Sequence, residues 1–353
     1  MSMRKQLVLG IALGGVAVVL AGLGLAPAGR AQAAPPATNY YSLTVSTADD
    51  TASGAAACTL RDALGVVNAG GAAGNGCTFA INGTPAGVYV LSLPAGGYTY
   101  TLNGAELAVT ANTVYIVGAD RATTILQANA APNTATYRVL SVAPGAAAEL
   151  QNITVRHGNS PDSGGGLSNA GALTLLTATV ASNYSGSGGG GVSNSGGVLQ
   201  VENVIFDGNQ TATTAPANGG AINNDSQGVL TVTNSSFTNN LSFQGGAISN
   251  KAFGANQVTT ATVSGSTFTG NSATSGGGAI QNAPFSDSRA FLTITASSFY
   301  SNTAPRGGGL ATLDGVGAVS STVYISASTF SGNTASDGGG GLSNTGSLVI
   351  VNS

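Results

Sequence analysis

The chain has 353 residues and a formal net charge of −3; only 7% of its residues are charged, 42% are apolar and 54 are glycine. That apolar share and small charge exclude simple disorder, which requires low hydrophobicity or high net charge, so a regular fold with glycine at fixed places is expected. No basic run is present to hold phosphates, which argues against a nucleic-acid partner.

Taken in chain order, the first feature is an export signal. Arg4 and Lys5 form a short basic region, residues 7–26 are apolar or glycine, and Ala31-Gln32-Ala33 offers a small-x-small cleavage site. A signal peptide is predicted over 1–33, with an uncleaved membrane anchor as the alternative for so long an apolar stretch. Removing it takes away Arg4, Lys5 and Arg30 and leaves 7 basic against 13 acidic side chains.

Residues 34–138 are predicted to form an N-terminal cap and the first, irregular coils of a repeat array. Cys58 and Cys77 enclose 18 residues. In an oxidising compartment they form one disulfide, contributing roughly 3 kcal/mol on the chain-entropy estimate; two unpaired thiols are the other reading. In the segment Cys58-Thr-Leu-Arg-Asp-Ala-Leu-Gly-Val-Val-Asn68, residues Leu60, Leu64 and Val67 are spaced for one helix face. Thr59 and Asp62 have the arrangement of a capping box, with Asp in place of the usual Glu or Gln. A helix capping the open end of a solenoid is predicted, an ordinary surface helix being the alternative. Residues 107–117 and 124–126 read as early, less regular turns.

From residue 139 to 353 the chain repeats. Phe206, Phe237, Phe268, Phe299 and Phe330 recur every 31 residues, and Asn209, Asn240, Asn271, Asn302 and Asn333 follow each at an offset of three; Val180 and Asn183 extend the pattern upstream. Before each Phe come alternating apolar pairs such as Leu230/Val232 and Leu292/Ile294, the period-two signature of a strand with one buried face. A second segment places Gly-Gly before Val192, Ile222, Ile248, Ile280 or Leu310, with Asn194, Asn224, Asn250, Asn282 or Thr312 two residues later. Gly, Ser, Thr, Asn and β-branched residues disfavour helix interiors. Short strands separated by glycine turns are therefore one coil of an all-β, right-handed parallel β-helix, the handedness following from the general preference of parallel crossovers. Stacked coils make ladders: the Phe and aliphatic positions fill the tube, the Asn positions bond backbone and their own copies at strand ends, and the paired glycines allow positive φ or close backbone approach.

Three late coils carry about five extra residues, at 251–260, 284–290 and 314–321. They are expected to project side by side from one edge, bringing Lys251, Phe253, Phe285, Asp287, Arg289 and Asp314 as candidate ligand contacts, or to be merely tolerated insertions. A final strand begins after Gly346 and the sequence stops at Ser353, so a truncated array with later coils or an attachment segment is expected.

The CTLRDAL segment, residues 58–64, resembles the CSLREA motif near the start of many exported bacterial β-helix proteins, with Thr59 for Ser and Asp62 for Glu. The pairing of Gly219–Ile222 with Phe237 and Asn240 is similar to the repeats of chlamydial polymorphic outer-membrane proteins. The resemblance covers roughly 40–353. It implies a pectate-lyase-like β-helix outside the cell or on its surface, often in adhesin-like proteins. It carries over no catalytic residue, because the matching positions are scaffold ones.

β-Helices also house polysaccharide lyases and hydrolases, so chemistry must be sought in the residues themselves. Asp162, Asp225 and Asp337 lie near Gly-Gly turns but at no common offset, and Glu202 and Asp207 have no acidic counterparts in neighbouring coils. Arg156, Lys251, Arg289 and Arg306 have no acidic cluster beside them in the pattern, and the sole histidine, His157, falls outside the tube near a turn. The expectation is a secreted or surface-displayed adhesin-like scaffold with no cofactor, presenting loops to glycans or surface proteins. It would touch a membrane only through its signal segment or a missing C-terminal anchor. The alternatives are a polysaccharide-active enzyme or a non-catalytic carbohydrate-binding module.

Overall fold

A strand points alternate side chains to opposite faces, so Leu230 and Val232 turn the same way, and both are buried while Thr231 between them is half-exposed. The computed structural model of the chain describes residues 39–51, 57–71, 76–84, 86–313 and 320–353. All of them lie in Pro35–Ser353, the larger of two units into which the chain divides. The predicted signal segment 1–33 and Asp314 fall outside the described residues.

The described chain winds as a parallel β-helix with four sheets. One coil runs from Ile222–Asp225 in sheet I to Val229–Thr233 in sheet II, Ser236–Thr238 in sheet III and Leu241–Gln244 in sheet IV, then re-enters sheet I at Ile248–Ala252. The sheets hold nine, twelve, nine and seven strands respectively. Each strand pairs in parallel with its copy one coil on, as Leu230 with Ala261 and Phe237 with Phe268. At the start, Tyr40–Thr44 and Phe79–Asn82 pair antiparallel.

Corners depend on single residues in the left-handed region. Between sheets II and III these are Asn203, Asn234, Gly265, Ala296 and Ala327, with φ between 48° and 58°. Between sheets III and IV they are His157, Ser182, Gly208, Asn239, Gly270 and Ser301, with φ between 52° and 65°. A left-handed L-residue costs about 1–2 kcal/mol, which the ladders on either side must offset. At the return to sheet I the two glycines do different jobs. Gly219 has φ 63°, whereas a Cβ on Gly220 would lie 2.2 Å from the Gly246 carbonyl of the next coil.

The tube is filled by ladders. Phe206, Phe237, Phe268, Phe299 and Phe330 stack with centroids 4.4–4.8 Å apart and planes within 6°. Beside them runs an amide ladder. Asn240 Nδ2 donates to Asn271 Oδ1 at 2.9 Å and to the Phe206 carbonyl at 3.1 Å, and its Oδ1 accepts from Asn209 N and Nδ2. The same bonds join Asn183, Asn209, Asn271, Asn302 and Asn333 in sequence. A second ladder links Asn169, Asn194, Asn224, Asn250 and Asn282 at 2.7–2.8 Å. Where Thr312 breaks that series, Asn282 donates instead to Ser321 Oγ at 2.8 Å. A serine ladder, which the repeat reading passed over, caps strand ends: the backbone N–H groups of Ser235, Ser266 and Ser297 donate to Ser266, Ser297 and Ser328 Oγ at 3.1–3.2 Å.

Helix α1, Leu60–Asn68, closes the first coils. Its capping box is formed, with Asp62 N donating to Thr59 Oγ1 at 3.0 Å. Its buried face is broader than the three-residue stripe, adding Ala63 and Val66 to Leu60, Leu64 and Val67, because the helix is wedged onto the end of the tube. Asn68 bonds Ala108 O, on the outermost sheet I strand Leu107–Val109, and Thr110 N just past it, at 2.8 Å each. Arg61 donates to the Ala105 and Glu106 carbonyls and pairs with Asp50 at 2.6 Å. The Cys58–Cys77 disulfide, with Cα atoms 4.6 Å apart, ties the residue before the cap to the segment entering strand Phe79–Asn82.

Candidate ligand-contact edge

Insertions in consecutive coils lie at the same corner, so their residues inherit the coil spacing. The extra residues at 251–260 and 284–290 are only partly loop. They lengthen the sheet I strands to Ile248–Ala252 and Ile280–Pro284, and the following sheet II strands to Val258–Ser264 and Arg289–Thr295. The added residues keep the parallel register, Lys251 opposite Ala283 and Val258 opposite Arg289. This follows because backbone groups just beyond a paired strand are best satisfied by continuing the ladder.

The rim so formed carries Phe253 and Phe285 as a second stacked pair, centroids 5.1 Å apart with planes 9° apart. Phe253 is 42% exposed and Phe285 half-buried. Asp287 and Arg289 are exposed beside them, Asp287 on a left-handed turn with φ 56°. The tip is fixed by Ser288 Oγ, which donates to the Ala252 and Phe285 carbonyls, and by Asn256 N donating to Asp287 O at 3.1 Å.

Lys251 is placed differently from its neighbours. It lies in strand Ile248–Ala252, not in a loop, and is 4% exposed. Its Nζ donates to Asn218 Oδ1 and, at 2.5 Å, to Gln244 Oε1, and lies 5.7 and 5.3 Å from the Phe253 and Phe285 ring centres. Burial pushes the amine down to about 7, against the opposing charge of Asp225. Asp225 Oδ2 accepts from Asn223 Nδ2 at 2.7 Å. Around this group, Asn223 Oδ1, Asp225 Oδ1, Ser249 Oγ and both amide atoms of Gln281 are buried with no hydrogen-bond partner among the described residues. Asn223, Ser249 and Gln281 are the residues between the inward Ile and Asn of each sheet I strand. Such outward positions are ordinarily wet, yet Asn223, Ser249 and Gln281 are all buried. Sequence reasoning named Lys251 and missed the rest. The one available signal was that these middle positions turn from Ser193 to Asn223 and Gln281, long amides where a short side chain would suffice.

The remaining candidates are dispersed. His157 occupies a left-handed corner that other coils fill with Ser, Gly or Asn; its Nδ1 lies 3.0 Å from the Asn129 carbonyl and partial burial lowers its pKa. Arg138 pairs with Glu106 at 3.1 Å, far from the rim in sequence. Burial pushes Glu149, on a sheet II strand, up to about 7. Among the described residues no group of three or more His, Cys, Asp or Glu side chains could hold a metal ion. No helix among them is long and apolar enough to cross a membrane.

Stacked parallel coils with in-register Phe and Asn ladders define a β-helix repeat protein. Two of its segments, 265–283 and 327–345, match the family model of the Chlamydia polymorphic membrane protein repeat. Each spans a Phe, the Asn three residues on and the following Gly-rich return to sheet I. No curated protein and no solved structure matches the chain.

Proposed function

We propose that the chain is a surface-displayed, adhesin-like scaffold whose rim at Phe253, Phe285, Asp287 and Arg289 contacts glycans. The repeat match supports surface display, since that repeat type takes its name from membrane proteins. The observation that carries the contact site is the Phe253–Phe285 stack, with Phe253 exposed and Phe285 half-buried, near in sequence to an exposed acid and base. Aromatic faces cover the apolar faces of sugar rings, while carboxylate and guanidinium groups bond hydroxyls and acidic substituents. Exposed aromatics on a stiff, hydrogen-bonded framework lose little freedom on binding, which favours affinity. The predicted signal peptide fits export.

The test is retention on an array of acidic and neutral glycans, comparing the folded chain with Phe253→Ala/Phe285→Ala and Asp287→Ala/Arg289→Ala variants of unchanged circular dichroism. Binding that falls at least about tenfold in both variants, the loss expected when about 1.4 kcal/mol of contact is removed, supports the reading. Equal retention in all three, or no retention by the parent, removes the rim from function. New reducing ends or unsaturated products on the same glycans would favour the polysaccharide-active alternative instead.

A further inference from the structure

The rim reading uses Phe253 and Phe285 from outside and leaves unexplained what lies beneath them. A lysine is almost never fully buried without a carboxylate partner. Lys251 is 4% exposed, yet its direct partners are two neutral carboxamides, Asn218 and Gln244. Both ends of the Lys251–Asn218 contact are held by backbone. Lys251 sits in a sheet I strand paired on its neighbour at Ala283. Asn218 is fixed through its own N–H to the Ser187 carbonyl at 3.0 Å and through its carbonyl to Gly189 N at 2.9 Å. Asn218 is itself 8% exposed, and its Nδ2 donates to the Pro216 carbonyl at 2.5 Å, which turns Oδ1 toward the amine. An amine in contact with Oδ1 has the adjoining amide carbon, Cγ, as its nearest electrophile, so attack needs only a local reorientation of Nζ.

We propose that Lys251 and Asn218 are the reacting pair of an intramolecular isopeptide bond that the folded chain forms on itself. The neutral amine attacks Cγ of Asn218, forming the Nζ–Cγ bond. A proton leaves Nζ and is delivered to Nδ2, the Cγ–Nδ2 bond breaks, and ammonia departs, leaving a secondary amide. No oxidant, metal or second substrate enters the balance. Three features of the site serve this step. The two phenyl rings lie over Nζ, and burial lowers the amine far enough that a substantial share is neutral near neutral pH, the desolvated state in which lysine is a nucleophile. Asp225 supplies the carboxylate whose charge reaches the amine, and its Oδ1 is buried without a hydrogen-bond partner among the described residues. The crosslink joins positions 33 apart in sequence, fastening the turn that ends at Asn218 to the coil that carries the rim. A scaffold exposed to proteases and pulling forces gains most from a bond at that corner.

The experiment is intact mass spectrometry of the purified, reduced full chain, set against the mass of the same N-terminus, followed by peptide mapping after digestion in denaturant. The expected result is a chain lighter by one ammonia, a branched peptide joining Lys251 to Asn218, and no tryptic cleavage after Lys251. Lys251→Arg and Asn218→Ala should both restore the full mass, and Asp225→Asn should slow the loss at least tenfold in a chain that still folds. The proposal is overturned by a parent at full mass after prolonged incubation at pH 8. It is equally overturned if the lost ammonia maps to a succinimide with Lys251 still cleavable, or to a Lys251–Gln244 link. A crosslink that forms as fast without Asp225 removes that carboxylate from the step.

Discussion

The Phe ladder and the rim contain the same pair geometry in two environments, which allows burial and stacking to be separated. Phe268 is fully buried and lies between Phe237 and Phe299, at 4.6 and 4.7 Å. Its flanking strand Thr267–Thr269 is paired on both sides, so the coils cannot close over a missing ring. Phe268→Ala should therefore cost about 4–5 kcal/mol, the upper part of the range for a buried phenylalanine. Phe253 also stacks on one ring, at 5.1 Å, but is 42% exposed, so Phe253→Ala should cost only about 1 kcal/mol. Solenoid unfolding need not be all-or-none. The measurement is accordingly native-state hydrogen exchange at the amides around 267–269 and 250–258, alongside urea midpoints. Equal costs for the two variants would mean that ring stacking, and not the filling of the tube, sets the energy.

Asn240→Ala strips the acceptor from Asn209 N and Nδ2 and the donor from the Phe206 carbonyl and Asn271 Oδ1. Several orphaned buried groups should cost about 2–4 kcal/mol in urea unfolding; a loss below about 0.5 kcal/mol would mean the amide ladder is ornamental. Gly220→Ala sets a Cβ against the Gly246 carbonyl, whereas at Gly65 in α1 nothing lies within 4 Å. The first should abolish soluble, β-rich protein, and Gly65→Ala should raise the unfolding free energy by about 0.5–1 kcal/mol. In Asn218→Ala no crosslink can form, and the burial that lowers Lys251 to about 7 in the folded parent, against 10.5 for the free amine, should still hold the folded pKa well below the unfolded one. Between those values the unfolded chain binds the extra proton, so stability rises with pH by up to about 1.4 kcal/mol per unit and the gain disappears as pH falls through 7. Adding Lys251→Met should flatten that slope in denaturant titrations at pH 7 and 9.

Periodicity alone determined the architecture. A 31-residue recurrence of Phe and Asn forces equivalent side chains into equivalent environments, and only a winding backbone provides those, so the β-helix could be read before any coordinate. The Thr59/Asp62 capping box and the Leu60, Leu64 and Val67 spacing likewise announced α1, because those signals act within a single helical turn. The serine ladder escaped notice although it repeats as regularly. Serine is common in these coils, and a hydroxyl carries no signature until the N–H it caps is known.

What lies beneath the rim was decided by tertiary structure. Lys251 reads from sequence as an exposed charge in an insertion. Whether an inserted residue loops out or prolongs a strand depends on its neighbour one coil away, here Ala283 opposite Lys251. Once the strand is prolonged, Asn218, Asp225, Gln244 and Phe285 converge on one amine from four other segments, and no spacing in the chain links them. Local repetition therefore specified the tube, and contact between coils made the dry polar group around Lys251.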